Sequence, residues 1–210
     1  TRVAVVDGTS MGGFYSLMAA QRSFEAGGPE AIDPKAMLKV WTNMAAAQLA
    51  MRHGLHGPQL TVTTACASAL DALATAALLI ESGRADVALC GGSEGRAPAG
   101  ERADGFVPVT AIAGRMLGME TDEEDPELAV LPFDRRRRGI VFGEGAGWFV
   151  LESEEHARRR GAPVVGWLRG CGSVADGFHP SSPEPEGRWE ARAIEVALAD
   201  ASVADDDVDV

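Results

Sequence analysis

Cysteine, basic charge and long apolar runs are all in short supply in this chain, and each shortage removes a class of function. Three cysteines, at 66, 90 and 171, are too few and too oddly numbered for a disulfide scaffold. None forms a Cys-x-x-Cys pair, which argues against a zinc ribbon, and no metal site is expected. A reducing compartment, by default the cytoplasm, fits that usage. Lys and Arg number 19 against 31 Asp and Glu, for a formal charge of −12. Nonspecific nucleic-acid binding depends on cations neutralising phosphates and is not expected of such a chain. No apolar run reaches membrane-spanning length, and no charged-then-apolar signal opens the sequence, so no membrane association is expected.

What is present is enough for a core. With 210 residues and 46% hydrophobic content the chain can bury one, and a single domain is the preferred reading over two. Strand candidates at Arg2–Val6, Leu60–Thr64, Val87–Cys90, Trp148–Leu151 and Val164–Leu168 alternate with helix candidates at Met37–Arg52, Ala67–Ser82 and Arg188–Ala201. Alternation of this kind predicts helices packed on a mostly buried sheet. The stretch 97–132, rich in Gly, Pro and acids, predicts loops with a short helix. Charge is patchy: acids crowd Glu120–Glu127 and Asp200–Asp209, while Arg135–Arg138 and Arg158–Arg160 form basic islands. Such runs are ordinarily solvated faces.

Cys66 stands where the strand Leu60–Thr64 gives way to a helix carrying Leu70, Leu73, Ala77 and Ile80 at helical spacing. A helix start presents unpaired N–H groups and the positive end of the dipole, which favour an anionic sulfur. Its neighbours Ala65 and Ala67 leave room for a substrate carbonyl. The alternative is a small buried apolar residue, the usual fate of a free cysteine.

Other motifs admit rival readings. Gly8-x-Ser10-x-Gly12 follows a strand and matches the nucleophile elbow of serine hydrolases, with Ser10 as its nucleophile, although no partner constellation accompanies it. The glycine-rich Gly143–Gly147 stretch lacks both the last glycine of a dinucleotide fingerprint and the lysine of a P-loop, so its glycines are read as turn and packing positions. Glu144 within it is read as structural, with hydrogen bonds toward the active site as the other option. Asp176–Pro183 has the composition of a surface turn.

Taken in order, Val5–Gly13, Gly27–Pro29, Asn43-Met44, Thr64–Ser68, Ala85–Glu94, Pro132–Asp134, Gly143–Gly147 and Asp176–Pro183 resemble the β-ketoacyl-acyl-carrier-protein synthases, the condensing enzymes of fatty acid and polyketide assembly. The resemblance implies a thiolase-like layered α/β/α fold and a homodimer. It implies that residues 1–210 are a ketosynthase N-terminal-type domain truncated at both ends, about half of the enzyme. It makes Cys66 the acyl-accepting nucleophile, with a malonyl thioester as second substrate, an acyl carrier protein as partner and that carrier's phosphopantetheine arm as tether. No bound metal or organic cofactor is implied.

Further roles come only from that likeness. Met11 falls where these synthases set a side chain against the growing acyl chain, plain core packing being the other reading. Phe106 falls at an aromatic bordering the acyl pocket, and Met37 at a residue reaching the partner subunit's pocket. Ser181 and Ser182 match hydroxyls that bind the pantetheine arm, with His179 ordering that loop. Either basic island is a candidate for docking an acidic carrier. At the place beyond Gly105-Phe106 where relatives often carry a carrier-binding arginine, this chain has Thr110. The two histidines that similar enzymes pair with the cysteine lie in motifs outside this chain, and His53, His56, His156 and His179 do not match them. Noncatalytic partner subunits that resemble these synthases usually replace the cysteine, and such a subunit is the second reading.

Overall fold

The computed structural model of the protein describes residues 2–95 and 109–209, which form two compact units, one ending at Glu152 and the other starting at Ser153. Each unit is described by itself.

The first unit is built on a four-stranded sheet in the order β2-β1-β3-β4. Strand β1 (Val3–Gly8) pairs in parallel with β2 (Gln59–Val62) and with β3 (Val87–Glu94), while β4 (Gly145–Glu152) runs antiparallel to β3. The apolar, β-branched run Val3–Val6 suits a central strand buried on both faces. Helix α4 (Ser68–Glu81) covers one face. Its small residues Ala72 and Ala76 let it settle closely on Ala4 and Val6 of β1 and on Ala88 and Cys90 of β3. Residues of the opposite parity, Val5, Asp7, Thr61 and Ser93, point to the other face. Helix α3 (Met44–His53) packs on β1 and β2, and α1 (Phe14–Gly27) packs on α2 (Ala36–Val40). Helix α5 (Val109–Met116) is the short helix expected within 97–132.

Two sequence expectations need correction. The helix expected over Met37–Arg52 is two helices, α2 and α3, because Trp41 turns extended (φ −64°, ψ 130°). The end of α2 lies so close to Gly13 that a Cβ there would stand 2.1 Å from the Lys39 carbonyl oxygen. The second correction concerns the Gly143–Gly147 glycines. None has an atom within 4 Å of a built Cβ at positions 143, 145 or 147. The glycine that close packing requires is Gly91 on the facing strand, where a Cβ would meet the Gly147 carbonyl oxygen at 2.1 Å.

The second unit contains α6 (Glu154–Arg160) and α7 (Arg188–Ala201). Ser153 caps α6 by accepting the His156 N–H at 3.2 Å, acids occupy its first turn and arginines its last, and Gly161 closes it in the left-handed region. Val164–Leu168, expected as a strand, is not one. The run has no ladder partner among the described residues and leaves Val165 98% exposed, and without a ladder an apolar run is only extended chain. Glu184, buried just before α7, accepts the N–H groups of Glu186 and Arg188 and the Arg188 guanidinium, and that guanidinium holds its carboxyl below the usual range.

Candidate active site

Cys66 occupies the middle of a single 3-10 turn, Ala65–Ala67, between β2 and α4. The sulfur-bearing residue is exposed, whereas Cys90 is fully buried in the core, where burial pushes its thiol up to about 11. That exposure does not fit the reading of Cys66 as a small core residue. The turn is strained: Ala65 sits at φ 53°, in the left-handed region that alanine avoids.

Local bonds hold that strain in place. The Ser68 hydroxyl accepts the Thr64 N–H at 2.9 Å and reaches the carbonyl oxygens of Ala65 at 2.6 Å and Thr9 at 3.2 Å. The Thr64 hydroxyl donates to Asp71 at 2.6 Å, tying the strand end to the first turn of α4. Below, Gly8 ends β1, and a Cβ there would lie 2.3 Å from the Ser68 carbonyl oxygen; at Gly92 it would lie 2.8 Å from the Ala69 Cβ. Glycine at these two strand ends lets α4 start directly over the sheet. Two amides of this opening segment are engaged locally, the Ala67 N–H with the Thr64 carbonyl at 3.2 Å and the Ser68 N–H with the Ala65 carbonyl.

A cavity of about 460 Å³ opens at Cys66. Its walls include Ala65, Ser68, Ser10, Glu94, Ala146 and Phe149. Small residues dominate the lining, so the site offers space around one sulfur. That combination suits attack on a carbonyl, with the developing oxyanion held by amides. Ser10 also lines the cavity, but no histidine among the described residues does, so its hydroxyl has no evident base there.

The remaining sequence candidates fall at varied places. Met11 lies on the loop after β1 beside Ser10, and its N–H donates to Glu94 at 3.1 Å; it is not among the cavity-lining residues. Met37 is 55% exposed on α2, away from this cavity. Phe106 lies outside the described residues. Ser181 and Ser182 are exposed in the second unit, on a loop fastened by Asp176, which accepts the Phe178 and Glu184 N–H groups at 3.0 and 2.9 Å. His179 Nδ1 accepts the Ser181 N–H at 3.2 Å, a loop-ordering contact. Thr110 is engaged with the Tyr15 hydroxyl. Among the described residues, no group of His, Cys, Asp and Glu could hold a metal ion, and no helix is long and apolar enough to cross a membrane.

Sequence reasoning missed two carboxyls. Asp7 and Glu94 lie at the ends of adjacent strands, and Glu94 lines the Cys66 cavity. The available signal was an acid inside the apolar run of β1. Asp7 is 0% exposed, and burial, reinforced by the nearby Glu94 charge and opposed by a Ser93 hydrogen bond, raises its carboxyl from 3.8 to about 6.

Comparison with known proteins agrees with this geometry. The family described as beta-ketoacyl synthase, N-terminal domain, matches residues 1–157. A 3-oxoacyl-[acyl-carrier-protein] synthase 2 of Mycobacterium tuberculosis is 36% identical over 208 residues, covering 99% of this chain and 48% of that protein. Its namesake from Vibrio harveyi is 34% identical over 203 residues, covering 96% of this chain and 47% of that protein. Among solved structures, a type II PKS acyl-carrier protein in complex with its ketosynthase bound to the hexaketide superposes with a TM-score of 0.84. It is 30% identical, with 97% of this chain and 49% of that one covered. The ishigamide ketosynthase/chain length factor gives 0.83 at 31% identity, over 99% of this chain and 48% of that one. The chain spans about half the length of the curated relatives it matches.

Proposed function

This chain belongs to the β-ketoacyl synthase family, and we propose that in its whole protein it supplies the nucleophile half of a condensing acyltransferase of fatty acid or polyketide assembly. The observation that carries the proposal is Cys66 exposed at the strained head of α4, in a cavity walled by backbone.

In the first step the Cys66 thiolate attacks an acyl thioester, amides at the helix start hold the tetrahedral oxyanion, and the carrier thiol departs with a proton. A malonyl thioester then loses carbon dioxide, and the resulting carbanion attacks the acyl-Cys66 carbonyl. A carbon–carbon bond forms, the Cys66 sulfur is released, and the product is a β-ketoacyl thioester two carbons longer. None of His53, His56, His156 and His179 matches the histidines that assist decarboxylation in similar enzymes.

The substrates arrive on an acyl carrier protein, whose phosphopantetheine arm is received with the help of Ser181 and Ser182. Met11 and Phe106 border the acyl chain, and Met37, exposed on α2, is offered to the second subunit of a cytoplasmic homodimer. Of the two basic islands, Arg135–Arg138 is better suited to an acidic carrier. Arg158 and Arg159 are paired with Glu154 and Glu155 of their own helix, whereas in the other run only Arg136 has a carboxylate partner among the described residues, Asp134 at 2.8 Å.

The test is to incubate the full-length protein with an acyl thioester and to map the adduct by peptide mass spectrometry. An adduct on Cys66 is the expected result. No adduct on a folded full-length protein makes it a noncatalytic partner subunit, and an adduct on Ser10 makes it a hydrolase.

A further inference from the structure

Behind the Cys66 cavity, on the face of the sheet that α4 leaves free, lies a second cavity of about 620 Å³. Thr9, Ser93, Glu94, Gly145 and Ala146 line both spaces and so form the partition between them. Two carboxyls that the chemistry above does not use stand here, Glu94 in the partition and Asp7 on the wall of the second cavity.

Glu94 reaches across the strand ends to the loop that follows β1. Its Oε2 accepts the Ser10 N–H at 2.6 Å, the Met11 N–H at 3.1 Å and the Thr9 hydroxyl at 3.3 Å. Thr9 Oγ1 in turn accepts the Gly12 N–H at 3.1 Å. One side chain therefore fixes a loop whose Thr9 and Ser10 are walls of the Cys66 cavity. A carboxylate oxygen, with its charge and spare lone pairs, suits three donors at once.

Asp7 lies one strand away, lining the second cavity, and accepts the Ser93 hydroxyl at 3.1 and 3.3 Å. Two anionic carboxyls this close repel each other, so the buried one takes a proton more readily. Other titratable groups facing this cavity among the described residues are Tyr15 of α1, Lys39 of α2 and Glu144 before β4; Met44 and Ala45 of α3 add no charge. Lys39 is committed to Asp33 at 2.6 Å.

We propose that Glu94 and Asp7 are a positioning pair for the Cys66 site, in which the Glu94 carboxyl clamps the Thr9–Met11 wall and Asp7, lining the second cavity beside it, governs how firmly the clamp holds. The clamp is firmest while Asp7 is neutral. It loosens when Asp7 ionises beside Glu94. Burial, which raises the Asp7 carboxyl to about 6, puts that change within reach of mildly acidic to neutral pH.

The pair's catalytic relevance rests on the condensing role of Cys66, so the test reads Cys66 in two ways. In the full-length protein, acyl transfer to Cys66 and alkylation of Cys66 by iodoacetamide are each followed from pH 5 to 8. Wild type is expected to show an inflection near pH 6 in both, superposed on the ionisation of the thiol itself. Asp7→Asn, which keeps an acceptor for Ser93 in the same volume, is expected to abolish that inflection. Glu94→Ala is expected to lower kcat/KM for acyl transfer roughly tenfold to a hundredfold, the range for a misplaced reacting group, and Glu94→Gln to restore most of it. If wild type forms no acyl-Cys66, the condensing role fails, while the alkylation profile still decides whether the pair governs the site. The inference is overturned if Asp7→Asn retains the inflection, or if folded Glu94→Ala acylates at the wild-type rate. Should Glu94→Ala not fold, Asp7→Asn and Glu94→Gln decide the matter.

Discussion

The two faces of the sheet, at the same strand ends, are built on opposite principles. On the α4 side, Gly8, Gly92 and the alanines of α4 remove side chains so that a helix start can sit on the strands and present one sulfur among amides. On the other side, Asp7 and Ser93 place polar groups on the second cavity, and Glu94 at the end of β3 lines both cavities. Absence of side chains places Cys66, and the Glu94 hydrogen bonds hold the Thr9–Met11 loop beside it.

The largest effect that separates the faces is Cys66→Ala. It is expected to reduce acyl transfer by roughly a thousandfold or more, as removal of a covalent nucleophile does, while thermal unfolding stays unchanged because the residue is exposed. Gly8→Ala comes next. Its Cβ would lie 2.3 Å from the Ser68 carbonyl oxygen. Displacing the head of α4 is expected to cost roughly 2–3 kcal/mol in denaturant unfolding and to lower Cys66 acylation with it. An alanine tolerated at both levels would dissolve the close-approach account of the α4 face.

For the polar face the expected effect is a pH dependence. The carboxyl of Asp7 is near 6 when folded against 3.8 ordinarily, so the unfolded chain gives up this proton first. Stability from this group therefore falls as pH rises from about 4 to about 6 and is level on either side. With screening through the cavity that Asp7 lines, the loss is about 2 kcal/mol. Asp7→Asn should flatten that slope in urea titrations from pH 4 to 7, and an unchanged slope would place the titrating group elsewhere. The smallest effect belongs to the second unit: Ser181→Ala with Ser182→Ala should raise KM for carrier-linked thioesters severalfold without moving kcat. Both serines are exposed, so folding should not change, and an unaltered KM would remove the pantetheine role.

Legibility from sequence followed how local each cause was. Helix α7 lies where its periodicity puts it, Arg188–Ala201, because its amphipathic pattern needs no distant partner to be read. Cys66 was readable for a similar reason: the change from β-rich to helical spacing occurs within a few residues on either side of it. Val164–Leu168 misled because strand identity depends on a ladder partner that the apolar pattern does not supply. The break at Trp41 was hidden because the end of α2 packs against Gly13, a contact with a residue far back in the chain.

The sequence by itself determined the placement of a cysteine at a strand-to-helix junction, the alternation that builds a layered α/β fold, and the family resemblance carried by its ordered motifs. Those properties depend on residue type and short spacing, which a linear chain displays directly. Only the tertiary structure decided that Ala65 is forced into the left-handed region, that Gly8 and Gly92 are the floor beneath α4, and that Asp7 and Glu94, 87 positions apart, share one wall. Strain, close approach and carboxyl coupling arise from distances between remote segments, and those distances exist only once β1, β2 and β3 have paired.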